Sequence, residues 1–294
     1  MKTGSNCANF FIVKVALAQI APRLGDVEQN LQLHLHFIEK SVIKKARLII
    51  FPELSLTGYT LMDLVQEVGL KPDESPIFRK IKALSRNTDI VLGFVEEKEA
   101  GVFYNSSAYL SAGKIVHIHR KVFLPTYGML EEAKFFAPGK NFETFPTRFG
   151  RAGLMICRDF LSYGAAYLLF AGGADIIIVT SAAPGRGFSE RRGFATDRMW
   201  ELMGEAISFF STSFVIYSNR VGCEDGKTFA GGSFVYNPQG KLLVKASPVE
   251  EGLVFVDLDL NEIRASRKTW PFKRDDRPEI ILRALERIVR KYED

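Results

Sequence analysis

Cysteine is scarce in this chain. Its 294 residues hold three, Cys7, Cys157 and Cys223, with no CxxC pair among them. So sparse and odd a set excludes a disulfide framework and points to a reducing compartment, the cytoplasm. Long apolar runs are also missing. The only one near the start, residues 10–13, is far too short for a secretory core or a membrane span. Neither a GxGxxG loop nor a Walker-type lysine occurs, so no phosphate-cradling loop is expected. Basic residues do not gather into a stripe. The formal net charge is only +5, and Lys44, Lys45, Arg191, Arg192, Lys268, Lys273 and Arg274 are scattered, mostly with acidic residues not far away. That pattern reads as solvated faces and argues against a nucleic-acid partner.

What is present is an ordinary globular composition, 47% hydrophobic and 25% charged. A chain of this length buries most of the surface that its unfolded form exposes. Short β-rich runs alternate with amphipathic stretches. Residues 13–20 read as a strand, and Val27, Leu31, Leu35, Ile38 and Val42 then mark one face of a helix with Asp26 as its N-cap. The apolar run 48–51 stops at Pro52 and suits a buried strand. A helix over 75–86 and a strand over 90–95 follow. Residues 103–110 and 114–119 form an expected hairpin, and 121–140 is a long irregular stretch of the kind that is usually functional. Alternation resumes with strands over 142–149 and 153–156, a helix from about 162, a strand over 176–180, a long helix over 189–210 and a strand over 214–218. A second hairpin, 232–236 with 241–245, precedes a strand over 253–260 and a terminal helix over 278–291. The two halves each run strand, helix, strand and then hairpin. The expectation is one mixed-sheet α/β domain over 11–260, a loose leader over 1–10, and a tail over 261–294 that packs on a neighbouring subunit.

Three residues stand where predicted strands end. Cys157 follows Gly153-Leu-Met-Ile156 and precedes a helix, whose N-terminus would lower the thiol's pKa and favour a thiolate nucleophile. For a lone cysteine, a small buried hydrophobe is the plainer reading. Glu53 ends the run Leu48-Ile-Ile-Phe51, a partly desolvated place suited to a general base, although a surface glutamate is the plainer reading. Lys121 stands where the first hairpin runs out and could stabilise an oxyanion, whereas most lysines are merely solvated. Together the three offer a base, a cation and a nucleophile, all expected to reach one edge of a sheet. That is what acyl transfer requires. His117 and His119 face the same side of a strand but have no third ligand in sight, so no metal is expected.

These positions resemble the motifs of the nitrilase superfamily, the carbon–nitrogen hydrolases with a Glu-Lys-Cys triad. The first motif resembles Phe51-Pro-Glu53 with Gly58-Tyr59, the second Arg120-Lys121 with Leu124-Pro125, and the third Gly153-Leu-Met-Ile-Cys157-Arg-Asp159. Within the family, Leu56-Thr-Gly-Tyr59, Leu124-Pro-Thr-Tyr-Gly128 and Phe229-Ala-Gly-Gly-Ser233 are similar to the glutaminase domain of glutamine-dependent NAD synthetases. In those proteins a synthetase domain follows. Here the sequence runs on for one predicted helix, so released ammonia is not expected to be used in the same polypeptide.

The resemblance implies a four-layer α-β-β-α sandwich and a homodimer or higher homo-oligomer. It implies that Cys157 attacks a carbonyl or nitrile carbon, that Glu53 moves the proton, and that Lys121 and the backbone N–H of Arg158 hold the oxyanion of a thioester-forming reaction. Glu132 matches a second family glutamate, with Glu131 its competitor. Tyr59, Tyr127, Ser181 and Arg186 are the substrate-contact candidates, and no cofactor is implied. Related glutaminases carry Cys-Glu-Asp where this chain has Cys157-Arg158-Asp159, which weakens the transfer of glutamine specificity. The implied function is hydrolysis of a small-molecule amide. The alternatives are a stand-alone glutaminase feeding a partner, an N-carbamoyl hydrolase, a nitrilase, or an inactive scaffold.

Overall fold

Strand β2 (Leu48–Ile50) shows why the chain builds layers. Leu48 and Ile50 turn to one side, Ile49 and the following Phe51 to the other, and all four are buried. A strand that is apolar on both faces needs cover on both. The computed structural model, which describes residues 11–189 and 193–293, supplies it with two stacked sheets and helices outside them.

The first sheet takes β1 (Ile12–Gln19), β2, β3 (Asp89–Glu99), β4 (Val102–Ser111) and β5 (Lys114–Arg120). The second takes β6 (Thr144–Thr147), β7 (Gly150–Ile156), β8 (Ile176–Ser181), β11 (Phe214–Asn219), β14 (Phe234–Tyr236) and β15 (Leu242–Lys245). The late strand β16 (Gly252–Asp259) returns to pair with β1. Two-residue ladders, β9 (Phe188–Ser189) with β10 (Gly193–Phe194) and β12 (Cys223–Glu224) with β13 (Lys227–Thr228), lie between these strands in sequence. The orders are β16-β1-β2-β3-β4-β5 and β6-β7-β8-β11-β14-β15. Each sheet reads antiparallel, parallel, parallel, antiparallel, antiparallel in that direction. The two sheets therefore share one pattern, with the first taking its edge strand from late in the chain.

Val15, Leu17, Leu48 and Ile50 meet Leu154, Ile176, Ile178 and Ile216 between the sheets. On the outer face of the first sheet lie α1 (Val27–Ile43) and α3 (Pro76–Leu84), with the short α2 (Val65–Val68) between them in sequence. Asp26 caps α1 by accepting from the Gln29 N–H at 3.0 Å. The outer face of the second sheet is covered by α4 (Tyr163–Ala171) and α5 (Asp197–Ser211), through Leu169, Trp200 and Ile207. The architecture is the expected four-layer α-β-β-α sandwich.

Two expectations change. The long helix begins at Asp197 rather than at 189, because the chain first makes the β9–β10 ladder, where Gly193 takes a φ of 70°. The expected tail is in part body. Helix α6 (Asn261–Thr269) buries Ile263 and Ser266, and Arg267 pairs with Asp175 at 2.7 Å. Only α7 (Phe272–Asp275) and α8 (Pro278–Glu293) extend beyond it. The leader over 1–10 lies outside the described residues. Among those described, no helix is long and apolar enough to cross a membrane.

Candidate active site

Glu53, Lys121 and Cys157 come from both sheets, not from one edge. Glu53 follows β2 and Lys121 follows β5 in the first sheet, whereas Cys157 follows β7 in the second. The parallel core strands all run toward this end, so the site forms on the seam between the sheets.

The Glu53 turn passes directly over Gly93 on β3. A Cβ at Gly93 would lie 2.3 Å from the Leu54 nitrogen and 2.6 Å from the Pro52 oxygen, so only glycine fits there. Leu54 itself takes a φ of 47°. The turn buries the Glu53 carboxylate completely. Its Oε1 accepts from Asn105 Nδ2 at 2.8 Å and from Lys121 Nζ at 2.6 Å, and its Oε2 accepts from the Ala182 N–H at 2.7 Å.

Lys121 is wholly buried. Its N–H donates to the Asn105 carbonyl and its carbonyl accepts from Gly139, which fixes the backbone where β5 ends. The ammonium donates to Glu53 Oε1 and Glu132 Oε1, each at 2.6 Å. Glu132 Oε1 also accepts from the Tyr59 hydroxyl at 2.6 Å, while Glu132 Oε2 is buried with no partner among the described residues. Glu131 instead pairs with Lys134 at the surface.

Cys157 has a φ of 45°, a conformation that non-glycine residues rarely adopt and that often marks functional sites. The chain then enters a short 3-10 turn, Cys157–Leu161, and reaches an α-helix only at Tyr163. The expected helix N-terminus is thus displaced from the sulfur, and the thiol is not lowered. Burial and the charge of Glu53 push it up, to about 12, against Lys121 and a hydrogen bond from Ser181. Burial pulls the Lys121 ammonium down, but Glu132 and Glu53 outweigh it and leave the lysine above its ordinary range. Glu132 is pushed up to about 7 by burial first, with the charge of Glu53 adding and that of Lys121 opposing.

Of the substrate-contact candidates, Tyr59 and Ser181 are buried in this cluster. Ser181 bridges the thiol and the Tyr217 hydroxyl, which donates to it at 3.0 Å. Tyr127 and Arg186 are exposed, with Arg186 Nη2 3.3 Å from where a Cβ of Gly128 would stand. The Arg158 guanidinium lies over the Phe123 ring at 5.6 Å. A cavity of about 50 Å³ leads to Tyr59 and Glu132 between residues 59–62 and 129–136, with Lys227 on its wall. His119 bonds to Asp159, and His117 stacks on Phe145. The sequence reading missed Asn105, Tyr217 and Gly93. Only the glycine inside a strand carried a readable signal, a close backbone approach.

Fold and sequence together define the class. A sequence model described as carbon-nitrogen hydrolase matches residues 14–268, and the chain belongs to that family, within the nitrilase superfamily. It is a hydrolase of carbon–nitrogen bonds other than peptide bonds. Among similar proteins, an (R)-stereoselective amidase of a Pseudomonas species is 31% identical over 267 residues, covering 90% of this chain and 92% of the relative. A glutamine-dependent NAD(+) synthetase of Acinetobacter baylyi is 30% identical over 251 residues, and the match spans 85% of this chain but only 45% of that protein. The solved carbon-nitrogen hydrolase of Helicobacter pylori G27 superposes with a TM-score of 0.83 at 26% identity, over 93% of this chain and 98% of that one.

Proposed function

We propose that the protein hydrolyses a small-molecule amide through Cys157, Glu53 and Lys121, releasing ammonia and a carboxylate. The observation that carries this reading is the buried ammonium of Lys121 held between two carboxylates beside the Cys157 thiol, with one oxygen of Glu132 left without a partner among the described residues. A buried acceptor without a donor is costly, and the N–H₂ of a substrate amide would satisfy it. So bound, the amide carbonyl faces Lys121 and the Arg158 N–H, and its carbon faces sulfur.

Cys157 sulfur then bonds to the carbonyl carbon as its proton passes to Glu53. Lys121 and the Arg158 N–H stabilise the oxyanion. The protonated Glu53 gives its proton to the nitrogen, the C–N bond breaks, and ammonia leaves a thioester on Cys157. Water attacks that thioester while Glu53 takes its proton. Collapse expels the sulfur, which recovers the proton, and the acid departs. No step calls for a cofactor. A reducing compartment, which we assign as the cytoplasm, would keep such a thiol usable.

Ammonia release from a panel of amides, carbamoyl amides and nitriles tests the reading, with Cys157→Ala beside the wild type. The variant is expected to lose activity by on the order of 10⁴-fold or more. Equal traces from both proteins would sink the mechanism and favour an inert scaffold. Glutamine belongs in the panel because of the likeness to NAD synthetases.

We also propose that the chain pairs with a second copy. Ile281, Leu282, Leu285, Ile288 and Val289 of α8 are exposed. Helix α8 follows directly on an apolar groove of about 430 Å³ lined by Tyr163, Phe170, Met203, Phe210 and Phe272. Exposed apolar surface of this kind marks an interface.

A further inference from the structure

Asp159 belongs to the third sequence motif, yet the chemistry above gives it no part. Its carboxylate is fully buried and accepts four hydrogen bonds. Oδ1 takes the backbone N–H groups of Val122 at 3.1 Å and Phe123 at 2.9 Å. Oδ2 takes the Ile156 N–H at 3.1 Å and meets His119 Nε2 at 2.9 Å. The donors fall into two sets. Val122 and Phe123 come immediately after Lys121, at the end of a strand of the first sheet. Ile156 comes immediately before Cys157, in the second sheet. His119 lies two residues before Lys121 and is itself buried.

From this geometry we infer that Asp159 is a positioning residue, the clamp that sets Lys121 against the Cys157–Arg158 turn across the seam of the two sheets. The inference rests on the amide-hydrolase reading, in which an oxyanion must sit between the Lys121 ammonium, carried by one sheet, and the Arg158 N–H, carried by the other. Past Lys121 the chain leaves β5 and its ladder bonds stop. The next two N–H groups would have no strand partner, and Asp159 captures both. A single carboxylate thereby spans the two halves of the oxyanion site. His119 holds that carboxylate from the Lys121 side. A carboxylate that merely stabilised the turn after Cys157 would need only the Ile156 bond.

The test uses the full chain and two assays. Acylation of Cys157 by p-nitrophenyl acetate, read as a burst of p-nitrophenolate, needs the thiol and the oxyanion site but no particular amide. Ammonia release from the amide panel needs the true substrate as well. Asp159→Ala is expected to slow the burst about 100-fold, with the half-saturating ester concentration changed by less than about threefold, as misplacement of reacting groups does. His119→Ala is expected to slow it about tenfold, whereas His119→Gln, which keeps a donor, should run close to wild type. The histidine pair also carries the test if Asp159→Ala does not fold. An unchanged burst in folded Asp159→Ala, or His119→Gln as slow as His119→Ala, would overturn the clamp. A wild type that gives the burst but releases no ammonia would count against the amide reading alone. A wild type without a burst would overturn both.

Discussion

At the scale of single residues, Cys157 sits where its proton is hard to lose. With its thiol pushed up to about 12, it rests protonated at neutral pH, and in the mechanism proposed here the attack must deliver that proton to Glu53 in the same step. The pH profile follows. Glu132, pushed up to about 7, is protonated below that value and ionised above it. A proton on its unpartnered oxygen would turn the acceptor for the substrate's N–H₂ into a donor facing donors. We expect kcat/KM for ammonia release to rise through about pH 7 and then to stay level to about pH 10, with no limb near the ordinary thiol range of about 8.5. Lys121, held above its ordinary range, stays charged throughout. An activity limb centred near 8.5 would mean that free thiolate, and not Glu53, starts the reaction.

Elements carry these residues to the site, and the contact between the Glu53 turn and β3 is a tight joint. Gly93→Ala would drive a Cβ into the backbone of Pro52–Leu54, where no flexible side chain can yield. The expected cost is about 1–3 kcal/mol of stability, measured by denaturant unfolding. Displacement of Glu53 should lower kcat by about 100-fold. Gly252→Ala on β16 has open space around it and serves as the control, keeping both quantities near wild type. If the two alanines behave alike, the turn is not held in the way described. Strand ends such as Ile50, Arg120 and Ile156 were legible because an apolar run or a hairpin strand stops there, and a motif residue follows each. Where α5 starts was not legible. Helical spacing continues back through 189, and only the pairing of β9 with β10 shows that the chain turns first.

For the whole molecule, α8 gives the expectation that can be checked. The full chain should travel as a particle of two 33.0 kDa subunits, and deletion of residues 278–294 should yield single ones in light scattering after size exclusion. A full-length monomer would sink the pairing proposed for α8. The mixed-sheet α/β character could be anticipated from local pattern, since each half repeats the same run of elements, whereas the four stacked layers were implied by the family resemblance. The joining of the sheets could not be read from local pattern. The bonds from Asp159 to Val122 and Phe123 span 37 and 36 positions, and no local periodicity reports them. The burial that raises the Cys157 thiol is likewise the work of distant chain closing over it. One consequence of that joining concerns how the protein would fail. Because base and nucleophile ride on separate sheets, their alignment measures how well the sheets rest on each other. Loosening anywhere in the Leu17, Ile50, Leu154 and Ile178 layer would shear the reacting atoms apart while each sheet kept its own hydrogen bonds. Turnover would then register fatigue in the core before spectroscopy saw any loss of secondary structure.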